Sequence, residues 1–309
     1  MRAFVKTNKG TFPDQNFYLA WKGFVEMGYE VILMDDEEKA DFTIDTPVFA
    51  GTRIFDKVMN KLGIEYKRID TYPEELKCLL GREITFTTLK EAKNRFQTDE
   101  HPLFVKPVIG KQFNGNLWKS FLDLIPLASV PDDAEVIVSE PINFISEFRA
   151  YINDKEIVGV KHYAGDWQRP IQKSTIEEAI KMFKSSPVAY SLDFGLTKKN
   201  NIYQDILVEV NDGTSLGNYG LDSIHYAEML VARWVEIVAS PRVDAKIKEN
   251  MEMYSKYNLE MEDLYFKKRE DGRCFRDSLV KDEMVNLKVN AMKDYAKEIT
   301  SNMESSSSK

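Results

Sequence analysis

Two short stretches, "YSLDFGL" and "LVEVNDG", constrain this 309-residue chain more than any other part of it. Side chains alternate along a strand, so Val208 and Val210 can face a core while Glu209 and Asn211 share the opposite face. In the earlier stretch Tyr190, Leu192 and Phe194 take one face and Asp193 the other. The turn-forming "TKKNN" between them predicts a hairpin that sets Asp193 beside Glu209. Two carboxylates directly opposite each other repel unless a cation lies between them. Oxygen donors of this kind suit a hard cation such as magnesium. On its own, Asn-Asp-Gly is also a common turn tripeptide, so the rest of the chain has to decide.

Apolar residues make up 43% of the sequence and aromatics 12%, enough for a real core. The net charge of −8 falls on the first 240 residues, because residues 241–309 carry 14 basic and 14 acidic groups. An acidic main body argues against nucleic acid as a partner, since sequence-independent binding needs a basic footprint. Cys78 and Cys274 lie far apart, with no CxxC pair or Cys/His zinc spacing. The amino terminus lacks an apolar leader, and no run approaches 18 apolar residues, so a soluble cytoplasmic protein with no membrane partner is expected.

A βαβα pattern over residues 1–80 predicts an amino-terminal α/β lobe. Within it a helix starts after Asp14 and ends at Gly28, and a second, "TRIFDKVMNKLG", also ends at a glycine. "TYPEELKCLLG" adds a short helix, and Thr88 with Glu91 has capping-box spacing. Residues 81–240 are β-rich: "PLFVKPV", "AEVIVSEP", "ISEFRAYIN" and "KEIVGVKHY" precede the helix "STIEEAIKMFKS" and the predicted hairpin. The amphipathic "LDSIHYAEMLVARWVEIVA" closes this part. Residues 241–309 read as a helical extension with a Val280, Met284, Leu287, Ala291, Tyr295 stripe and a disordered "SSSSK" tail. Packing on the main body is the expectation for that stripe, with homo-oligomer formation the alternative.

Polar residues recur at alternating positions in these strands. Lys106 interrupts an apolar strand and precedes "VIGKQFNG", in which Gly110, Lys111 and Gly115 could form a phosphate-holding loop. No GxxxxGK[ST] is present, so this is not a Walker A loop. Glu147 and Arg149 share one strand face, and Lys161 alternates against Val158 and Val160. Each placement taken singly is also what a surface hairpin or a solvated ion pair would show. "LDFGL" contains the protein-kinase magnesium tripeptide, but neither GxGxxG nor H-R-D accompanies it.

The order Lys106, glycine loop, Glu140, Glu147, Arg149, Lys161, Asp193, Glu209-x-Asn211 resembles the ATP-grasp superfamily over roughly residues 80–240. Its most specific part is "SLDFGL…LVEVNDG". Small stand-alone bacterial and phage members look closest. The resemblance implies an α/β (α+β) fold in which two β-rich lobes clamp ATP beside the amino-terminal lobe. It implies that Lys106 contacts nucleotide phosphate, that backbone at Glu140–Ile142 meets adenine, and that Glu147 meets ribose. Arg149 and Lys161 would face the transferring phosphate, and Asp193, Glu209 and Asn211 would hold Mg2+. Lys90 and Lys93 are candidates for a further family lysine, a role Lys111 could also take. The implied activity is an ATP- and magnesium-dependent ligase joining a small-molecule or peptide carboxylate to an amine or thiol through an acyl phosphate. A small-molecule kinase on the same scaffold and a nucleotide-binding module without chemistry are the alternatives. The glycine-rich "TSLGNYGLD" is expected to border the acceptor site.

Overall fold

The structure, a computed structural model, describes residues 1–98, 102–108 and 113–239. Gly110, Lys111, Cys274, the 280–295 stripe and the serine tail lie outside the described residues. Three sheets carry the chain. The first is parallel, order β2-β1-β3, from β1 (Arg2–Lys6), β2 (Glu30–Met34) and β3 (Val48–Phe49). The two-residue β3 is too short to give a periodic signal. Helix α1 (Gln15–Glu26) is capped by Asp14, whose side chain accepts from the Asn16 amide, and α2 (Thr52–Lys61) begins after Gly51. The connector then runs into a 3-10 turn at Glu74–Leu79, where a short helix was expected.

A second sheet, antiparallel with order β4-β7-β5-β6, contains β4 (Ile84–Thr88), β5 (Leu103–Pro107), β6 (Asn116–Trp118) and β7 (Glu135–Ser139). Helix α3 (Leu89–Thr98) covers it, and the Thr88–Glu91 capping box forms: the Glu91 amide donates to Thr88 Oγ1 and the Thr88 amide to Glu91 Oε2. The third sheet, order β11-β10-β8-β9, is built from β8 (Ser146–Asn153), β9 (Glu156–Gly165), β10 (Ala189–Lys199) and β11 (Ile202–Asp212). Its hairpins close on Asp154-Lys155 and Asn200-Asn201, all four at positive φ, as two-residue turns matched to strand twist require. The strands therefore run on through Lys199, which shortens the expected "TKKNN" turn to two residues.

One face of this third sheet is apolar. Ala150, Ile152, Tyr190, Leu192, Phe194, Leu207 and Val210 pack there with Ile176, Ala179 and Phe183 around helix α4 (Lys173–Met182). The last described helix, α5 (Ser223–Ala239), turns back to the amino-terminal lobe. Its Tyr226, Ala227 and Leu230 share a core with Ala20 and Phe24 of α1, while Trp234 and Ile237 pack with Phe55 and Met59 of α2. Gly23 permits the α1–α5 crossing: a Cβ there would lie 1.9 Å from the Ser223 carbonyl oxygen. A mid-helix glycine costs roughly 0.5–1 kcal/mol in propensity, which the close packing offsets. Among the described residues no helix is long and apolar enough to cross a membrane.

Candidate active site

With its apolar face committed to the core, the third sheet turns its polar face toward the second sheet. Register decides what meets there. Glu209 on β11 pairs with Asp193 on β10, Asp193 with Arg149 on β8, and Arg149 with Lys161 on β9. Directly paired residues point to the same face, so one transverse row reads acid, acid, base, base. The neighbouring row reads Asn211, Ser191, Tyr151, Gly159.

The charges are paired across unequal distances in sequence. Arg149 donates from Nε and Nη2 to both carboxylate oxygens of Asp193, each at 2.7 Å, and its guanidinium lies 4.8 Å from the Tyr219 ring. The two are 5% and 3% exposed, so this pair is withdrawn from water. Glu209 instead accepts from Lys106 Nζ at 2.7 Å, a bond that joins the second sheet to the third. Asn211 Nδ2 donates to Asp193 Oδ2 at 3.3 Å. Burial pushes Asp193 above the usual carboxylate range, opposed by the Arg149 fork and reinforced by Glu209 and Glu147. Burial works the same way on Glu209, but the Lys106 ammonium outweighs it and holds that carboxyl below its ordinary value. Lys161 is half-buried and makes no ion pair among the described residues, leaving one cation of the row uncommitted.

The other expected residues sit around this row. Glu147 lies one pleat along β8 from Arg149 and accepts from the Tyr163 hydroxyl at 2.9 Å. Glu140 and Ile142 follow β7, where the chain leaves the second sheet for the third; Glu140 is exposed and Ile142 half-buried. Gly115 packs under Lys106, since a Cβ on it would lie 3.0 Å from the Lys106 Cβ. Gly213 ends β11 for a similar reason: a Cβ would meet the Ala189 carbonyl oxygen at 2.4 Å. Beyond it the 214–220 loop is fastened in place. Tyr151 donates to the Gly217 and Asn218 carbonyls, Tyr226 to Leu216, and the Asn218 amide to Asn16 Oδ1. The hydroxyls of Thr52 and Ser215 lie 2.8 Å apart, so α2 of the first lobe reaches the loop as well.

Residues 79–229 match the sequence pattern of the ATP-grasp domain, R2K clade family 2. This segment is an ATP-grasp domain. Solved structures to which this chain is similar include the ATP-grasp ligase PsnB complexed with a minimal precursor. It is 13% identical at TM-score 0.44, spanning 75% of this chain and 99% of that one. A D-alanine–D-alanine ligase from Bacillus anthracis complexed with ATP is 17% identical at TM-score 0.45 over 77% and 97%. A RimK domain ATP-grasp protein from Sphaerobacter thermophilus is 14% identical at TM-score 0.49 over 75% and 100%. No curated protein sequence matches this chain.

ATP-grasp domains bind ATP, and the donor chemistry of the row can be tested against a magnesium ion. Two carboxylates and the Asn211 amide oxygen on one face of paired strands are hard oxygen donors, which fits. Among the described residues no three His, Cys, Asp or Glu converge, so the amide would have to be the third protein ligand. Both acids carry a protein cation, so a metal would take the place of Lys106 on Glu209 and share Asp193 with Arg149.

Four contributing residues carry no motif in the sequence. Tyr72, whose ring lies 4.6 Å from Lys106 Nζ, belongs to the connector before the ATP-grasp domain. Tyr163 and Tyr219 stack at 5.1 Å beside Glu147 and Arg149. Tyr151 fastens the 214–220 loop. Alternation from Arg149 could have placed Tyr151 on the polar face; a β-bulge opposite Glu147 hides the corresponding inference for Tyr163.

Proposed function

We propose that this protein is an ATP- and magnesium-dependent ligase that activates a carboxylate as its acyl phosphate and passes it to an amine or thiol. The observation that carries the reading is the Glu209–Asp193–Arg149–Lys161 row, buried at its centre and closed from the facing sheet by Lys106. Magnesium, held by Asp193, Glu209 and Asn211, would neutralise phosphate oxygens of ATP when bound. Lys106 and Lys161 bind the phosphate chain from opposite sheets, and Arg149 sets its fork against the charge gathering on the transferred group. Glu147 accepts from the ribose, with Tyr163 yielding its hydrogen bond. The backbone after β7, at Glu140–Ile142, meets the base.

The chemistry balances without a side-chain base. A substrate carboxylate oxygen forms a bond to the γ-phosphorus as the bond to the ADP oxygen breaks. The amine then attacks the acyl carbon and phosphate departs, taking the amine proton. The protein positions groups and supplies countercharge, and orientation of this kind is a large share of phosphoryl-transfer catalysis. The fastened 214–220 loop borders the acceptor.

ADP and phosphate release are measured with magnesium-ATP against fractionated metabolites and peptides, wild type beside Glu209→Ala. Release of both products in step, confined to particular fractions and lowered at least about a hundredfold in the variant, is the expected result. ADP without phosphate would turn the reading into a kinase. ATP binding with no ADP from any fraction would leave a binding module.

A further inference from the structure

The segment joining the first lobe to the ATP-grasp domain lies along the strand that carries Glu209 and Asn211. Tyr66 donates its hydroxyl to Asp212 Oδ2, the Ile69 amide donates to the same oxygen, and the Thr71 carbonyl accepts from the Val210 amide at 3.0 Å. Val210 lies between Glu209 and Asn211, so Tyr72 is keyed to this strand by the hydrogen bond of the residue before it. Pro73 follows, and a residue before proline is driven to extended backbone; the Tyr72 amide is further tied to Asp70 Oδ1 at 2.9 Å. The ring, 8% exposed, packs in the core with Leu76 and Leu80 and cannot leave with a loop motion.

Two cations sit over this ring. Arg82, 6.0 Å away, is committed elsewhere, donating to the carbonyls of Leu80, Leu207 and Val208 at 2.9 Å each. Lys106, 4.6 Å away, is held among the described residues by Glu209 and by the ring and phenol oxygen of Tyr72. If a metal claims Glu209, Lys106 loses its one anion while still lying on the far sheet, and a long ammonium side chain has many other rotamers. What remains is Tyr72.

We propose that Tyr72 is a positioning residue for Lys106, an aromatic seat that keeps the ammonium at the phosphate site once magnesium has taken Glu209. This rests on the nucleotide-site reading above. The seat combines the π-face of the ring with the phenol oxygen beside the ammonium. Its contribution appears when Glu209 is occupied by metal and shrinks when Glu209 is free to hold Lys106.

The test is calorimetric binding of a non-hydrolysable ATP analogue to the full-length protein, with magnesium and with chelator. Wild type is compared with Tyr72→Phe, Tyr72→Leu, Lys106→Met and the Lys106→Met/Tyr72→Leu double variant, thermal melts being recorded for each. With magnesium, Tyr72→Leu is expected about five- to tenfold weaker than wild type, and Tyr72→Phe, which keeps the ring and loses the oxygen, in between. On the Lys106→Met background Tyr72→Leu should add no further loss, because no ammonium is left to seat. Without magnesium, the Tyr72→Leu effect should fall below about twofold. Equal weakening on both backgrounds would make Tyr72 a packing residue and overturn the proposal, as would wild-type affinity in Tyr72→Leu. Should Tyr72→Leu fail to fold, Tyr72→Met carries the same comparison. A wild-type protein that binds no nucleotide would overturn the nucleotide site itself, an outcome distinct from a site that binds but ignores Tyr72.

Discussion

Two buried arginine–aspartate pairs lie near the ends of the same hairpin, and they are built for opposite purposes. Arg149 grips both oxygens of Asp193, and Arg233 grips both oxygens of Asp212 at 2.9 Å. The difference is in what else each acid receives. Asp212 also accepts from the Tyr66 hydroxyl and the amides of Ile69 and Thr214, while Arg233 continues to Glu236. Its lone pairs are filled, and the pair ties connector, strand end and α5 into one unit. Among the described residues Asp193 receives only Asn211 besides its arginine, and it faces a second carboxylate across the hairpin. A saturated pair is a clamp; an unsaturated one, beside a like charge, is a place where a ligand can exchange in. Burial raises the pKa of both acids, yet Asp212 ends below its ordinary value and Asp193 above it, because Asp212 has the Arg233 fork with Tyr66 and Thr214 as further donors, whereas Glu209 and Glu147 push Asp193 upward.

The sharpest way to break this comparison is to remove each arginine. Arg233→Met should destabilise the fold by about 3–5 kcal/mol, the usual cost of leaving a buried charge unpaired, read from urea unfolding. Arg149→Met should also destabilise, and millimolar magnesium should raise its melting temperature by more than it raises that of Arg233→Met, in which the Asp193 site is unchanged and the freed charge on Asp212 lies away from it. Equal shifts in the two variants, or none in either, would erase the distinction.

Exchanging the acids gives the next largest effect. Asp193→Asn should lower turnover by about 10²- to 10³-fold and also cost stability, because the buried Arg149 guanidinium loses its counter-charge. Asp212→Asn should lower stability while folded molecules keep their turnover. Steady-state rates measured beside unfolding curves check both. Gly213→Ala tests the strand end between them: the clash with the Ala189 carbonyl should cost about 1–3 kcal/mol, seen as a lowered denaturation midpoint.

The smallest effect is on pH dependence. Glu209 is depressed in the folded protein, so the stability from its bond to Lys106 is complete above its ordinary value of 4.5 and is lost as pH falls through the lower, folded value. Melting temperatures below pH 4.5 should therefore fall less steeply in Lys106→Met than in wild type. Parallel slopes would show that the bond between the sheets contributes nothing to folding.

Much of the fold was legible because periodicity is a local property. The strands bearing Lys106, Arg149, Lys161, Asp193 and Glu209 are readable from their alternation, and Asp14 and the Thr88–Glu91 box announce their helices. One core position differs: a bulge between Glu209 and Leu207 leaves Val208 unpaired and gives Leu207 the core place expected of Val208. Short elements escaped: β3, β6 and the 3-10 turn at Phe121–Leu127 are too brief for a period to show. Of the candidate site, the pairing of Asp193 with Glu209 follows from one hairpin. The sequence does not say that Lys106 reaches Glu209 from another sheet, because nothing local relates residues so far apart.

What the sequence determined by itself is which residues share a strand face, since alternation needs only neighbouring dihedral angles. That was enough to put acids and bases on one polar surface and to point to the ATP-grasp superfamily. Tertiary structure decided the pairings. Register across four strands ordered the row, the packing of two sheets brought Lys106 to Glu209, and the connector carried Tyr72 to Lys106. It also separated Asp212 from its neighbour Asn211, turning one acid of "VNDG" to α5 and leaving the amide in the cleft. These are long-range contacts, fixed by burial and hydrogen bonding between segments that the linear sequence keeps apart.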